Sequence, residues 1–125
     1  MKKILVCEDD EIVLKVIQVA LENERIEGIY VKEGETALHL LRTQHDFDGI
    51  ITDIHMPFHN GDEILHLVRV EQKKNIPIIM ISSDDEEEII KLALKLGVDA
   101  FMAKPIDPQK LAKTLRKLGL HKPDN

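Results

Sequence analysis

The chain has little of what marks a specialised class. Aromatics make up 3% of its 125 residues and tryptophan is absent, so a stacking platform for single-stranded nucleic acid has little to be built from. A single cysteine, Cys7, excludes a disulfide framework and a cysteine-based zinc site, and fits a reducing cytosol. No apolar run approaches the roughly 18 residues that would span a bilayer. Met1-Lys2-Lys3 is followed by the short apolar run Ile4-Leu5-Val6-Cys7, too brief for the apolar region of a signal peptide. Positive charge is in deficit, with 17 Lys and Arg against 23 Asp and Glu and a net charge of −6. Such a chain lacks the field needed for non-specific binding to nucleic acid or an anionic membrane. There is no internal repeat and no low-complexity tract. What is present is 43% apolar and 32% charged, enough for a core and too mixed in sign for disorder. The length suits one domain, 1–120, with a polar tail over 121–125.

Short apolar runs alternate with longer segments of helical period. Ile4 to Cys7 has strand length and stops at the acidic run Glu8-Asp9-Asp10-Glu11. From Ile12 to Leu21, Val13, Ile17, Ala20 and Leu21 share one helical face. Ile12, Val16 and Val19 widen that face and predict a well-buried helix. Asp10 is placed to cap it, and Glu11 suits the positive end of its dipole. A weaker strand lies within Ile26 to Val31. Gly34 breaks the chain before a helix through Thr36 to Arg42. A third strand, Ile50 to Asp53, is closed off by Pro57, and a helix then begins near Gly61 and runs through Val68. Ile78 to Ile81 is the fourth strand. The next helix, Asp84 to Leu96, has acids in its first turn and Gly97 at its end. Ala100 to Ala103 is the fifth strand, and Pro108 opens a last helix marked by Leu111, Leu115 and Leu118.

Five strands thus alternate with five helices. Strands apolar on both faces imply a parallel sheet covered on both sides, and right-handed crossovers with a switch in strand order make it doubly wound. In such sheets the chemistry gathers outside the carboxyl ends of the strands. Those ends carry Glu8 and Asp9, then Asp53, then Ser82 and Ser83, then Lys104-Pro105. Three neighbouring carboxylates require protonation or a cation. An all-oxygen set with no required His or Cys favours a hard divalent ion such as Mg²⁺. Asp53, presented on a short loop after a buried strand, can be a metal ligand or a nucleophile toward phosphorus. Ser82 offers a neutral donor, and Lys104 a point charge for phosphoryl oxygens.

The set Glu8-Asp9, Asp53, Ser82 and Lys104-Pro105 resembles the receiver domain of two-component response regulators. The flanking words agree: Lys3-Ile4-Leu5-Val6, Asp53-Ile54-His55-Met56-Pro57 with Gly61 following, and Lys104-Pro105 after an aromatic-bearing strand. The likeness runs from about Lys2 to Leu118. It implies a flavodoxin-like fold with strand order 2-1-3-4-5. It implies that Asp53 is the phospho-acceptor and that Glu8, Asp9, Asp53 and the backbone carbonyl of His55 hold Mg²⁺. Ser82 would hydrogen-bond the phosphoryl group, Lys104 would pair with it, and Phe101 would be the switch aromatic. The Lys104-Pro105 bond would be cis. The implied phosphoryl source is a sensor histidine kinase or a histidine phosphotransfer protein, docked on the first helix and the loops around Pro57 and Lys104. The implied readout is the face of the fourth helix, fifth strand and fifth helix, about Glu86 to Leu118, touching a downstream protein. The domain would act as a monomer or a phosphorylation-dependent dimer, either alone or as one part of a longer protein. It would be a switch that assists its own phosphorylation and dephosphorylation.

Several residues depart from the commonest pattern of that family: Glu8 for aspartate, Ser82 for threonine, and Ser83 for a small residue. His55 and Asp84 stand at variable positions that tune phosphate loss. Plainer readings compete at single residues. Glu8 to Glu11 alone could be a solvated helix start, and Asp53 alone a turn residue. Lys104 alone could be a surface lysine. One of Ser82 and Ser83 could merely cap the fourth helix, so the choice of Ser82 rests on strand register. Phe101 alone is a plain sheet-edge aromatic. Cys7 reads as a buried, inert strand residue, and His55 with His59 as a metal pair is interrupted by Pro57. The alternative function is an Asp-nucleophile phosphohydrolase using Mg²⁺. Such an enzyme would want an aspartate two residues after Asp53, where this chain has His55. A nucleotide or flavin binder would need a phosphate-cradling loop after the first strand, which is instead acidic.

Overall fold

A computed structural model describes residues 1–54, 61–83 and 87–121. The apolar runs become strands: β1 (Lys3–Cys7), β2 (Glu27–Val31), β3 (Gly49–Asp53), β4 (Ile78–Ser82) and β5 (Ala100–Ala103). Between and after them lie α1 (Glu11–Asn23), α2 (Gly34–Thr43), α3 (Gly61–His66), α4 (Glu87–Lys95) and α5 (Pro108–Lys117). All four strand pairings are parallel, and the order across the sheet is β2-β1-β3-β4-β5. This is the doubly wound, flavodoxin-like arrangement that the sequence predicts.

Successive side chains of a strand point to opposite faces, and the core divides accordingly. Leu5, Cys7, Ile50, Ile78 and Met80 pack with Leu38, Leu41, Leu65 and Val68, on the side of α2 and α3. Ile4, Val6, Ile51, Ile79 and Ile81 pack with Ile17, Leu21, Leu111 and Leu115, on the side of α1 and α5. Every residue of β3 and β4 is buried, whereas β2, at one edge, is mostly half-buried.

The caps follow the sequence. The Asp10 carboxylate accepts hydrogen bonds from the backbone N–H groups of Ile12 and Val13, and Asp107 accepts one from Gln109 N–H ahead of Pro108. Gly97, at φ +102°, ends α4 in the left-handed region where a side chain is disfavoured.

Three details differ from the sequence expectation. α1 is narrower in its burial than its composition suggests. Ile17, Ala20 and Leu21 are buried, but Ile12 is 78% exposed and Val19 42% exposed. A helix laid on a sheet buries one stripe, and apolar residues outside it stay in solvent whatever their type. Gly34 opens α2 rather than breaking the chain ahead of it. After α3 the helix widens into a π-turn over Leu67–Glu71, in which Gln72 N–H donates to Leu67 O at 2.8 Å. The side chain of Gln72 then reaches the carbonyl of Leu41 in α2 at 2.9 Å.

A cluster of carboxylates and one lysine at the strand ends

The site residues sit at the ends of strands whose ladders run one bond further. Glu8 N–H donates to Val31 O at 3.0 Å, Ile54 N–H to Ile81 O at 2.9 Å, and Lys104 N–H to Ser82 O at 2.8 Å. Glu8, the residue just past Asp53, and Lys104 are therefore held by the sheet itself. The register places Asp53 beside Ile81 and Ser82 beside Ala103. Ser82 is fully buried at the end of β4, while Ser83 is exposed, which separates two serines that the sequence leaves competing. The Lys104-Pro105 bond is cis.

Lys104 joins the two sides of the cluster. Its ammonium donates to Asp53 Oδ2 and, at 3.1 Å, to Glu8 Oε1. The other Glu8 oxygen, Oε2, is fully buried and forms an ion pair with Lys104 Nζ at 3.0 Å, with no well-aligned hydrogen bond among the described residues. Backbone geometry fixes Glu8 as well, since Asp10 N–H donates to Oε1 at 3.0 Å. Glu8, Asp9 and Asp53 each offer a carboxylate oxygen, and these atoms lie within 4.8 Å of one another. Glu8 and Asp53 are buried and Asp9 is exposed.

Three carboxylates thus face one ammonium. Burial pushes the Glu8 carboxyl up to about 7, with the neighbouring Asp53 adding to the rise and Asp10 N–H and Lys104 opposing it. Desolvation pulls Lys104 down, but its bonds to Asp53 and Glu8 outweigh this and hold its ammonium above the ordinary lysine value. Three neighbouring carboxylates with one ammonium between them fit a divalent cation. Receiver domains as a class bind Mg²⁺ at an acidic pocket of this kind.

The sequence anticipates Glu8, Asp9, Asp53, Ser82 and Lys104 at one edge, and the structure brings Glu8, Asp9, Asp53 and Lys104 into mutual reach. Phe101 is half-buried in the edge strand β5 and packs partly against the core. His55, His59, Met56, Pro57 and Asp84 lie outside the described residues. Thr52 supports the site without being anticipated. It is fully buried, and its hydroxyl donates to the Asp53 carbonyl at 3.0 Å. Its signal is a polar residue inside the apolar run Ile50-Ile51-Thr52. Cys7, beneath Glu8, is fully buried, and desolvation pushes its thiol up to about 12.

Comparison with known proteins agrees with this geometry. Residues 4–116 match the response regulator receiver domain. The chain is 36% identical over 110 residues to the alkaline phosphatase synthesis transcriptional regulatory protein PhoP of Bacillus subtilis, covering 88% of this chain and 45% of that protein. It is 34% identical over 110 residues to the two-component response regulator ORR21 of Oryza sativa, covering 87% of this chain and 16% of that protein. The chain thus spans less than half the length of these curated relatives. Among solved structures, a Francisella response regulator 1452 receiver domain superposes with a TM-score of 0.85 at 30% identity, covering 94% of this chain and 96% of that one. The chemotaxis response regulator CheY4 of Vibrio cholerae superposes with a TM-score of 0.83 at 28% identity, covering 94% and 98%. The chain belongs to the response regulator receiver domain family of two-component signalling systems.

Proposed function

We propose that this receiver domain is a phospho-acceptor switch in which Asp53 takes a phosphoryl group from a phosphohistidine on a sensor kinase or a phosphotransfer protein. The observation that carries the reading is the shared ammonium of Lys104, bonded to Asp53 and Glu8 together at the carboxyl edge of the sheet. A carboxylate oxygen of Asp53 attacks phosphorus. The new O–P bond forms as the P–N bond to the donor imidazole breaks, and the departing imidazole takes up a proton. The product is an aspartyl-phosphate. The work of the protein is alignment and charge neutralisation. Lys104 exchanges its Asp53 contact for a phosphoryl oxygen, and the Ser82 hydroxyl donates to another. Glu8, Asp9 and Asp53, with the backbone carbonyl of His55, would hold Mg²⁺, which supplies neutralisation of the equatorial phosphoryl charge.

Phosphorylation then shifts a two-state equilibrium read out on α4, β5 and α5, with Ser82 and Phe101 coupling the site to that face. A downstream protein binds there, and the domain acts in the cytoplasm as a switch rather than an enzyme. The test is incubation with a small acyl-phosphate donor and Mg²⁺. The parent gains an acid-stable, base-labile phosphate, and Asp53→Asn gains none. Equal labelling of the variant would displace Asp53 from its role. Turnover of a free phosphomonoester by many equivalents would make the protein a phosphohydrolase instead.

A further inference from the structure

Among the described residues, the buried polar or charged side chains are Glu8, Thr52, Asp53 and Ser82. Glu8, Asp53 and Ser82 stand at the strand-end site. The Thr52 side chain does not, because it leaves β3 on the face opposite to that of Asp53. It lies between Cys7 of β1 and Met80 of β4, its partners in register, which pack on the side of α2 and α3. Ile50, two residues earlier on the same face, is fully buried and apolar. Valine would fill the space of Thr52 as well. A buried hydroxyl costs free energy unless it is hydrogen-bonded, so the bond it makes is informative. That bond goes to the carbonyl of Asp53, at 3.0 Å. The same peptide group is held at its other end, where Ile54 N–H donates to Ile81 O at 2.9 Å.

Two hydrogen bonds, one from a side chain of β3 and one to β4, thus fix the plane of the peptide that leaves Asp53. That plane sets ψ of Asp53, and the rotamers open to a side chain depend on its own φ and ψ. The Asp53 carboxylate reaches Lys104 from this fixed backbone. Without the Thr52 bond the peptide is free to tilt, and a nucleophile that has lost its alignment reacts slowly. We infer that Thr52 is a positioning residue for phosphoryl transfer, its hydroxyl holding the Asp53 carbonyl and with it the direction from which the Asp53 carboxylate meets phosphorus. The role rests on the switch reading above and adds to it a residue whose side chain faces away from the site. From that face Thr52 offers the donor no contact, so its effect falls on the maximal rate and not on the donor concentration needed.

Three variants of the full chain test the role. Thr52→Val keeps the volume and removes the hydroxyl, Thr52→Ser keeps the hydroxyl and removes a methyl, and Thr52→Ala removes both. Labelling by a small acyl-phosphate donor in Mg²⁺ should slow roughly tenfold at saturating donor in Thr52→Val and Thr52→Ala, with the half-saturating concentration unchanged. Thr52→Ser should label within about threefold of the parent, although its lost methyl leaves it less stable to denaturant than Thr52→Val. Rate and stability then rank these two variants in opposite orders. A second readout needs no donor: the carbonyl carbon-13 resonance of Asp53 should move upfield in Thr52→Val and Thr52→Ala and keep its place in Thr52→Ser. Should Thr52→Val not fold, the Ser and Ala pair, which differs only by the hydroxyl, decides. Parent-like labelling of Thr52→Val, labelling of Thr52→Ser as slow as that of Thr52→Ala, or an unmoved Asp53 resonance in the variants lacking the hydroxyl would each overturn the role. If Asp53→Asn labels as the parent does, the switch reading falls, and the carbonyl resonance still reports whether Thr52 holds the peptide. If only Asp53 labels and the Thr52 variants follow their order of stability, the positioning role alone falls.

Discussion

The two edges of the sheet each place a cation among acceptors, and they do so to opposite ends. At the amino edge Arg69, in the π-turn, donates to Gly97 O at 3.1 Å, Lys74 O at 2.9 Å, Ile76 O at 2.8 Å and Asp99 Oδ2 at 2.9 Å. Asp99 Oδ2 also accepts from Ile78 N–H at 2.8 Å. Charge is balanced one to one, and the guanidinium fork matches three carbonyls supplied by two separate loops, the one before β4 and the one before β5. At the carboxyl edge the one ammonium of Lys104 is shared by Glu8 and Asp53, with Asp9 beside them, and Glu8 Oε2 has no well-aligned hydrogen bond among the described residues. A satisfied network rigidifies, and a half-satisfied one is costly unless something else completes it. The comparison separates a cluster whose charges balance from one that holds a surplus of carboxylates.

Substitutions can break that contrast. The largest effect is expected for Lys104→Met, which keeps the aliphatic stem and removes the charge. Labelling of Asp53 by an acyl phosphate should slow by about a hundredfold or more, while the melting temperature moves little in Mg²⁺. A stability loss as large as that of the Arg69 variant would erase the distinction between the edges. Arg69→Ala should act in reverse. It strips donors from three carbonyls and a counter-ion from Asp99, costing about 2–3 kcal/mol in denaturant unfolding, with Asp53 still labelled.

A smaller effect tests the surplus of negative charge. The folded-state carboxyl of Glu8 stands near 7 against an ordinary 4.5, so the native chain holds this proton more tightly than the unfolded one. Its contribution is complete below about pH 4.5 and is lost as pH rises through 7. In chelator the parent should therefore lose stability, relative to Glu8→Gln, as pH rises across that window. Mg²⁺ should restore it at the upper end. A flat difference between the two proteins would show that Glu8 is not strained by its surroundings. The smallest effect is expected for Ile12→Ser, within about 0.5 kcal/mol of the parent, because this apolar residue stands outside both edges and outside the buried stripe of α1.

What could be read from the sequence divides along the same line. Strand runs, helix caps and the acids after β1 and β3 are local signals. Asp10, Asp107 and Gly97 occupy the positions that local chemistry assigns them. The convergence of Glu8, Asp53 and Lys104 was legible because a parallel sheet sends every carboxyl strand end to one edge. The Arg69 network was not legible, since its partners are carbonyls, which every residue has. Nor was the π-turn, which differs from ordinary helix by one hydrogen-bond step. Ser82 and Ser83 are alike in type, and only the register of β4 against β5 tells them apart. The width of the buried stripe on α1 depends on what covers it, so periodicity gave its direction and overstated its extent.

The lone thiol offers a clock. Cys7 is fully buried in the central part of the sheet, next to Glu8, and its reactive thiolate is scarce at neutral pH. A thiol reagent therefore reaches it only when the layer packed on that face of the sheet, with Leu38 and Leu41 of α2 and Leu65 of α3, opens. With one cysteine in the chain, the labelling rate counts those openings without a background to subtract. Any ligand that closes the carboxyl edge should slow that clock in proportion to the population it removes from the open state.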